Sequence, residues 1–311
     1  MISPSNQFPM NQLLTTISTV TTLTLAYLLY KQNKQYNAGS IEKNSVYETK
    51  QSLYEYLLMH YGTRDELLPS YLLNDHTPSN AIDYPKQCAL EVGRLVKQAQ
   101  FAHLNNSILE IGCSVGRTSF ELSRVFSHIT ALDYSHSFID TANMLKQSGT
   151  YQYERRTEGI LTVPCVARVD PVLNRNAVQF IQGDACNLNN PKLIELNRNR
   201  KYDVILGCNL LCRLPKPRRF LDNLHNLLQP NGLVVFMSPY SWLDQFTVRN
   251  EWIGGYIDDN GNELSCNGEL IKEMKLRGFK LIEESDMPFF IRETARKSQW
   301  TIAHKTVFQM I

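Results

Sequence analysis

The chain has 311 residues, 43% of them hydrophobic, with 32 Lys and Arg against 30 Asp and Glu and a formal net charge of +2. That is enough apolar material for one large core or a core with a small appended piece. The near-neutral balance, without a basic stripe interleaved with aromatics, excludes nucleic acid as the main substrate. Seven scattered cysteines, an odd number, exclude a disulfide framework and point to a reducing compartment.

Residues 1–30 carry no charged side chain, and Leu13–Tyr30 would form a helix of about 27 Å, close to the thickness of a bilayer core. Seven Thr and Ser residues dilute its hydrophobicity. The segment is read as a membrane anchor, with Lys31 and Lys34 keeping the C-terminal side cytoplasmic, or as a threonine-rich leader or an amphipathic surface helix. Residues 31–45 are polar and aperiodic, a linker. The catalytic domain is expected over residues 46–311.

Within it, a helix is expected over Val46–Tyr61 and ends at Gly62, and a second spans Pro85–Gln100. Strands are expected at Ile108–Ile111, Ile129–Leu132, Val178–Ile181, Tyr202–Leu206 and Leu233–Met237, with helices near Thr118–Ser127, Phe138–Lys146 and Arg218–Leu228. Such alternation means a doubly wound, mostly parallel α/β sheet with helices on both faces. Phe279–Glu284 and Thr301–Gln309 read as a terminal pair of strands. The connection Ser148–Asn176, long for this fold class, reads as a cap over the substrate.

The richest segment is Ser107–Asp133, SILEIGCSVGRTSFELSRVFSHITALD. An apolar strand runs into Gly112, Cys113, Ser114 and Gly116, small residues that let a ligand approach the backbone. Arg117 opens the helix, whose free amides favour polar or anionic groups. Asp133, with Tyr134 after it, ends the second strand where an acid accepts hydrogen bonds from a ribose. GCSVG also fits the G-x-S-x-G elbow of α/β-hydrolases, with Ser114 as nucleophile and His304 as its histidine. Glu110, Asp133 and Asp184 with Ala185 favour nucleoside binding, because a hydrolase elbow leaves these acids unexplained and no HGGG-type oxyanion loop precedes it.

Glu110 before the glycine turn, then Asp133, Asp184 and YDVILGCNLL, is the pattern of class I S-adenosylmethionine-dependent methyltransferases, which this chain resembles. The segments YEYLLMHYG, CSVGRTSFELSR, QGDACNL, CNLLCRL, SPYSWLDQFTVRNEWIGGY and PFFIRETARKSQWTIAHKTVF are similar to the 4-mercaptohistidine N-methyltransferase family of ovothiol biosynthesis, often fused to 5-histidylcysteine sulfoxide synthase. The resemblance implies S-adenosylmethionine as cofactor, a small thiol-histidine substrate and an antiparallel edge to the sheet. The family usually has an acid after NLL; here Cys212 stands between Leu211 and Arg213.

Methyl transfer to nitrogen asks for alignment and exclusion of water more than for covalent help. A mercaptohistidine would be held by a guanidinium, a carboxylate or amide, and aromatic walls. Within the matching segments Asn209 is expected to orient the imidazole, Arg213 or Arg292 to pair the carboxylate, Glu293 to take the amine, and Tyr240 and Trp242 to form walls. His60 and Tyr61 are expected on a helix folded over the cofactor. Trp242 and its neighbours equally suit loop packing, and Arg292 with Glu293 equally suits a surface ion pair. The histidines lack the close spacing of a nonheme iron site, and Cys208 with Cys212 completes no zinc set. Peptide or protein histidine as acceptor, and a non-catalytic cofactor-binding scaffold, are the alternative functions.

Overall fold

The computed structural model describes residues 46–68, 79–188, 191–196 and 201–311. The segment 1–30 and the linker 31–45 lie outside the described residues. Among those described, no helix is long and apolar enough to cross a membrane.

Residues Tyr47–Ile311 form one compact unit. It opens with α1 (Lys50–Tyr61), capped by the Thr49 hydroxyl and ended at Gly62, then a single turn α2 (Arg64–Leu67) and α3 (Tyr84–Val96), where Pro85 suits the first turn because it has no N–H to satisfy. Next come β1 (Ser107–Ile111), α4 (Arg117–Leu122), β2 (His128–Asp133) and α5 (His136–Ser148), the last held between a Ser135 cap and left-handed Gly149. The chain continues through β3 (Thr150–Glu158), β4 (Leu161–Arg168), β5 (Val178–Gln182), α6 (Pro191–Leu196), β6 (Tyr202–Cys208), α7 (Pro217–Leu227) and β7 (Leu228–Ser238). A short hairpin, β8 (Tyr256–Ile257) and β9 (Glu263–Leu264), precedes α8 (Cys266–Leu276), β10 (Phe279–Arg292) and β11 (Ser298–Met310).

The main sheet has seven strands in the order β10-β11-β7-β6-β1-β2-β5. All its pairs are parallel except those of β11, which runs antiparallel to both neighbours. β1 is buried at every position, as a central strand covered on both faces must be. Ile108 faces a core shared with α1, α3, α4 and α5, while Leu109 and Ile111 face a second core with α7 and α8. Buried Asp203 on β6 accepts from the backbone N–H of Asn106 and Ser107 at 2.8 Å each, which sets the register of β6 on β1.

The structure adds detail to one expectation and corrects two. The connection 148–176 is mostly a two-stranded hairpin, β3 with β4, turned at Gly159. Its inner positions Tyr153, Cys165 and Ala167 are buried, an alternation that Arg155, Arg156 and the surrounding polar residues obscure in the sequence. The helix after the glycine turn is six residues, not ten, because the chain turns at Ser123. The terminal strands are far longer than expected, and β10 continues well past the level of the other strand ends. Asp286 is in register with His304, and His304 with Ser238 at the end of β7, so the last six residues of β10 project above the sheet. There the backbone N–H of Ala295 donates to the carbonyl of Thr157, joining this arm to the β3–β4 hairpin.

Candidate active site

The turn after β1 is fastened to the end of β2 by two backbone bonds: Gly112 and Cys113 both donate to the carbonyl of Leu132, at 2.7 and 3.1 Å. Gly112, Ser114 and Gly116 all have positive φ. A Cβ on Gly112 would stand 3.2 Å from the Leu210 side chain, and one on Gly116 only 2.6 Å from the Phe180 ring. The turn is therefore pressed between β5 and the loop after β6, and glycine is required for space as well as for conformation.

Asp133 ends β2 directly beside this turn. Its carboxylate accepts from the N–H of Ser114 at 2.8 Å and of Ser135 at 2.9 Å, and also from that of Tyr134, which still leaves acceptor capacity for a ribose hydroxyl. Burial raises its pKa to about 6 despite those backbone bonds. Tyr134 comes next at the rim, 48% exposed, and Asp184 with Ala185 ends β5 on the far side of β2; Asp184 caps the N–H of Cys186 at 2.8 Å. These residues line one edge, as a nucleoside site at the carboxyl ends of parallel strands requires. Glu110, expected among the cofactor-binding residues, lies beneath the turn. It is 2% exposed, takes the Ser119 hydroxyl of α4, and burial pushes its pKa up to about 8, so it braces the turn from beneath.

α1 lies over the same turn. The Tyr61 hydroxyl donates to the carbonyl of Val115 at 2.9 Å, and Arg117 donates to the carbonyl of His60 at 3.1 Å while stacking on the Tyr61 ring. His60 is buried beside Arg117, which together hold its pKa down to about 3, so the imidazole is neutral. Its Nδ1 and the hydroxyl of Ser114 are buried polar atoms without a protein partner. Ahead of the helix, Glu48 takes the N–H of His136 and Ser137, and Tyr47 packs among Tyr56, Phe138 and Phe246.

The ends of β6 and β7 supply the other wall. Asn209 is left-handed at φ 52°, and its N–H is bound at 2.6 Å to the carbonyl of Met237. The Tyr84 hydroxyl donates to its Oδ1 at 3.3 Å, and the Tyr84 ring stacks on Phe289 at 4.9 Å. Arg213 donates to the carbonyl of Ser241 at 2.7 Å, lies 5.0 Å over the Phe246 ring and reaches the Tyr47 hydroxyl. It thus ties the β6 loop, the β7 loop and the N-terminal cover together. Cys212 is fully buried with its sulfur 3.2 Å from the same guanidinium and 3.8 Å from the Ser241 hydroxyl, where an acid would make a charge-assisted pair. Tyr240 is also left-handed, at φ 51°, with its hydroxyl 3.0 Å from Nδ1 of His304. Trp242 stacks with Trp252 and donates to the sulfur of Cys266, which makes it a packing residue.

Arg292 and Glu293 do not join this wall. They ride on the projecting end of β10, about 10 Å beyond Phe289 at the rise of a strand. Arg292 is buried and donates to the carbonyls of Glu66 and Thr294, and Glu293 pairs with Lys297 at 2.5 Å and with Gln299. Together they border a groove of about 190 Å³ between α1 and the β3–β4 hairpin. Conversely, Tyr84 and Tyr47 belong to the site and were not expected there. Nothing local marks Tyr84, because its partner Asn209 is 125 residues away.

A family model described as a methyltransferase domain matches residues 82–284. The chain belongs to that methyltransferase family. No curated protein sequence matches it. Among solved structures it is similar to magnesium protoporphyrin IX methyltransferase from Synechocystis PCC 6803 with bound SAH, at 12% identity and a TM-score of 0.50 over 86% of this chain and 98% of that one. It is also similar to the N-methyltransferase NodS from Bradyrhizobium japonicum WM9 in complex with S-adenosyl-L-homocysteine, at 15% identity and a TM-score of 0.43 over 83% and 98%. The sheet order and the methyltransferase-type turn are those of the S-adenosylmethionine-binding fold.

Proposed function

We propose that this methyltransferase takes S-adenosylmethionine as donor and methylates a ring nitrogen of 4-mercaptohistidine (5-thiohistidine) to form ovothiol. The residues present fit the cofactor. Asp133 keeps acceptor capacity for a ribose hydroxyl, Gly112 and Gly116 leave the backbone bare, and the Ser114 hydroxyl within the turn and the His60 Nδ1 beside Arg117 are unpartnered. The bound cofactor supplies an electrophilic methyl group. The chain's own residues cover it with α1, keep water away and orient the acceptor.

The observation that carries the acceptor is Asn209, a left-handed amide at the strand end, fixed by Tyr84 and walled by Tyr84 and Phe289. That combination suits a small planar heterocycle with polar edges. The similarity of CNLLCRL and the two C-terminal segments to the mercaptohistidine family supports the same reading. Arg213, at the base of the wall, is the cation suited to the substrate carboxylate. Arg292 and Glu293 are not used, since both are committed to the arm.

The test is to incubate the full chain with S-adenosylmethionine and 5-sulfanylhistidine, with histidine and a histidine-containing peptide as comparison acceptors, and to track products by mass spectrometry. Ring-methylated thiol is the expected product. Methylation of the peptide alone would transfer the reading to a protein-histidine substrate, and cofactor binding with no methylated acceptor would overturn it in favour of a scaffold.

A further inference from the structure

His304 has no part in the cofactor cleft, yet it is placed between the acceptor wall and solvent. It sits on β11 opposite Ser238, where β7 ends two residues before Tyr240. The Tyr240 hydroxyl is 3.0 Å from its Nδ1, and on its other side Nε2 is 3.7 Å from Oε2 of Glu284, an ion-pair distance and not a hydrogen bond. Asp286 is in register across from His304 on β10 and exposed, and Asn267 on α8 donates to Glu284. Two carboxylates from the neighbouring strand therefore face the imidazole, and its only cationic strand neighbour, Lys305, points to the opposite face and is taken by Glu91 and Glu283. Tyr240 itself is held in a left-handed conformation that few tyrosines adopt, with its N–H on the Ser238 hydroxyl. Burial raises the Tyr240 pKa, so the phenol stays protonated and can pass a proton only by accepting one as it gives one.

A thiol-substituted imidazole needs such a path. Its acidic thiol hands a proton to the ring, so both ring nitrogens carry N–H and neither has a free lone pair. A base must remove one proton before nitrogen can act as nucleophile.

We propose that Tyr240 and His304 form a proton relay for the acceptor ring, with Glu284 and Asp286 stabilising the imidazolium that results. This rests on the thiol-imidazole reading of the substrate. The ring N–H proton moves to the Tyr240 oxygen while the phenol's own proton moves to Nδ1 of His304. The freed lone pair forms the new nitrogen–carbon bond as the methyl carbon–sulfur bond breaks, its electron pair staying on sulfur. His304 then releases its proton to solvent past Glu284. His304 touches no substrate and acts through Tyr240, as a positioning residue.

The test compares the two members of the relay, singly and together. His304→Ala is expected to lower kcat about 100-fold, the usual scale of a lost general base, and added imidazole is expected to restore about 10-fold of it. A purely structural histidine would not be rescued. Tyr240→Phe keeps the ring but removes the hydroxyl that joins the acceptor to His304, and it is expected to lower kcat to the level of His304→Ala, with the double variant falling no further and imidazole not restoring it. A His304→Ala loss that imidazole does not restore, or losses that multiply in the double variant, would overturn the relay while leaving the substrate reading intact. Wild-type protein that makes no methylated thiol would remove the reading and the relay together.

Discussion

Replacing Gly116 by Ala separates two reasons for a glycine in the cofactor turn, and the chain supplies its own control. At Gly116 φ is +83° and a new Cβ would lie 2.6 Å from Cζ and 2.7 Å from Cε1 of Phe180, and 3.3 Å from Cβ of Ala142. Phe180 cannot swing freely, because its ring is packed edge-on against Phe120 at 5.3 Å and it is buried. The left-handed conformation costs about 1–2 kcal/mol for a residue with a Cβ, and overpacking adds about 1–3 kcal/mol. Gly159, at the tip of the β3–β4 hairpin, has φ +52° with nothing within 4 Å of its Cβ position, so Gly159→Ala carries the first cost alone. At about 2–4 °C per kcal/mol for a domain of this size, Gly116→Ala should melt about 4–20 °C below wild type and Gly159→Ala about 2–8 °C below. Calorimetry with S-adenosylmethionine should show weakened binding only for Gly116→Ala. Equal melting temperatures for the two variants would mean that the turn relaxes around the methyl group, and the argument from close packing against Phe180 would be wrong.

Three other substitutions probe the acceptor wall and the base of the turn. Tyr84→Phe keeps the stack on Phe289 but removes one hydrogen bond to Asn209, worth about 1 kcal/mol, so turnover should fall about 5-fold with the melting temperature nearly unchanged; a matched fall in both would make Tyr84 a scaffold residue. Folding raises the pKa of Glu110 from 4.5 to about 8, so its contribution to stability is complete below pH 4.5 and is lost as pH rises through 8. Urea titrations of Glu110→Gln should therefore decline less steeply across that window than those of wild type, the residual slope being the balance of Asp133, whose contribution is lost toward pH 6, and neutral His60, whose contribution grows up to pH 6.5, and an unchanged slope would show that Glu110 is ionised in the fold. Cys212→Asp places a carboxylate beside the Arg213 guanidinium and the Ser241 hydroxyl, where it competes with the acceptor's own carboxylate; KM for the thiol acceptor is expected to rise several-fold, and an unchanged KM would show that Arg213 does not bind the acceptor.

Local chemistry made much of the cofactor side legible. Gly112, Gly116 and Asp133 lie within a single strand–turn–helix–strand unit, whose apolar runs and small residues determine its conformation without help from distant segments. Glu110 was legible as an acid before the turn, but its role was not. Only the packing of α4 shows that its carboxyl turns inward to Ser119. The acceptor side is the reverse case. Asn209 and Arg213 stand out as polar residues after an apolar strand, whereas Tyr84 and Tyr47 enter through contacts made by other elements.

The amino-acid sequence by itself determined the alternation of strands and helices, the parallel sheet with helices on both faces, and the glycine turn with its acid, because hydrophobic periodicity and glycine placement act within a few residues. Tertiary structure alone decided where the two long arms reach. β10 and β11 run past the sheet because they pair with each other beyond the end of β7, and that register carries Arg292 and Glu293 away from Asn209 to the junction with the β3–β4 hairpin. The same register sets His304 beside Tyr240 and across from Asp286, grouping residues of the terminal hairpin with one from the loop after β7. Pairing energy along a strand is nearly uniform from residue to residue, so where a hairpin stops, and which side chains it brings to a site, depends on the partners it meets.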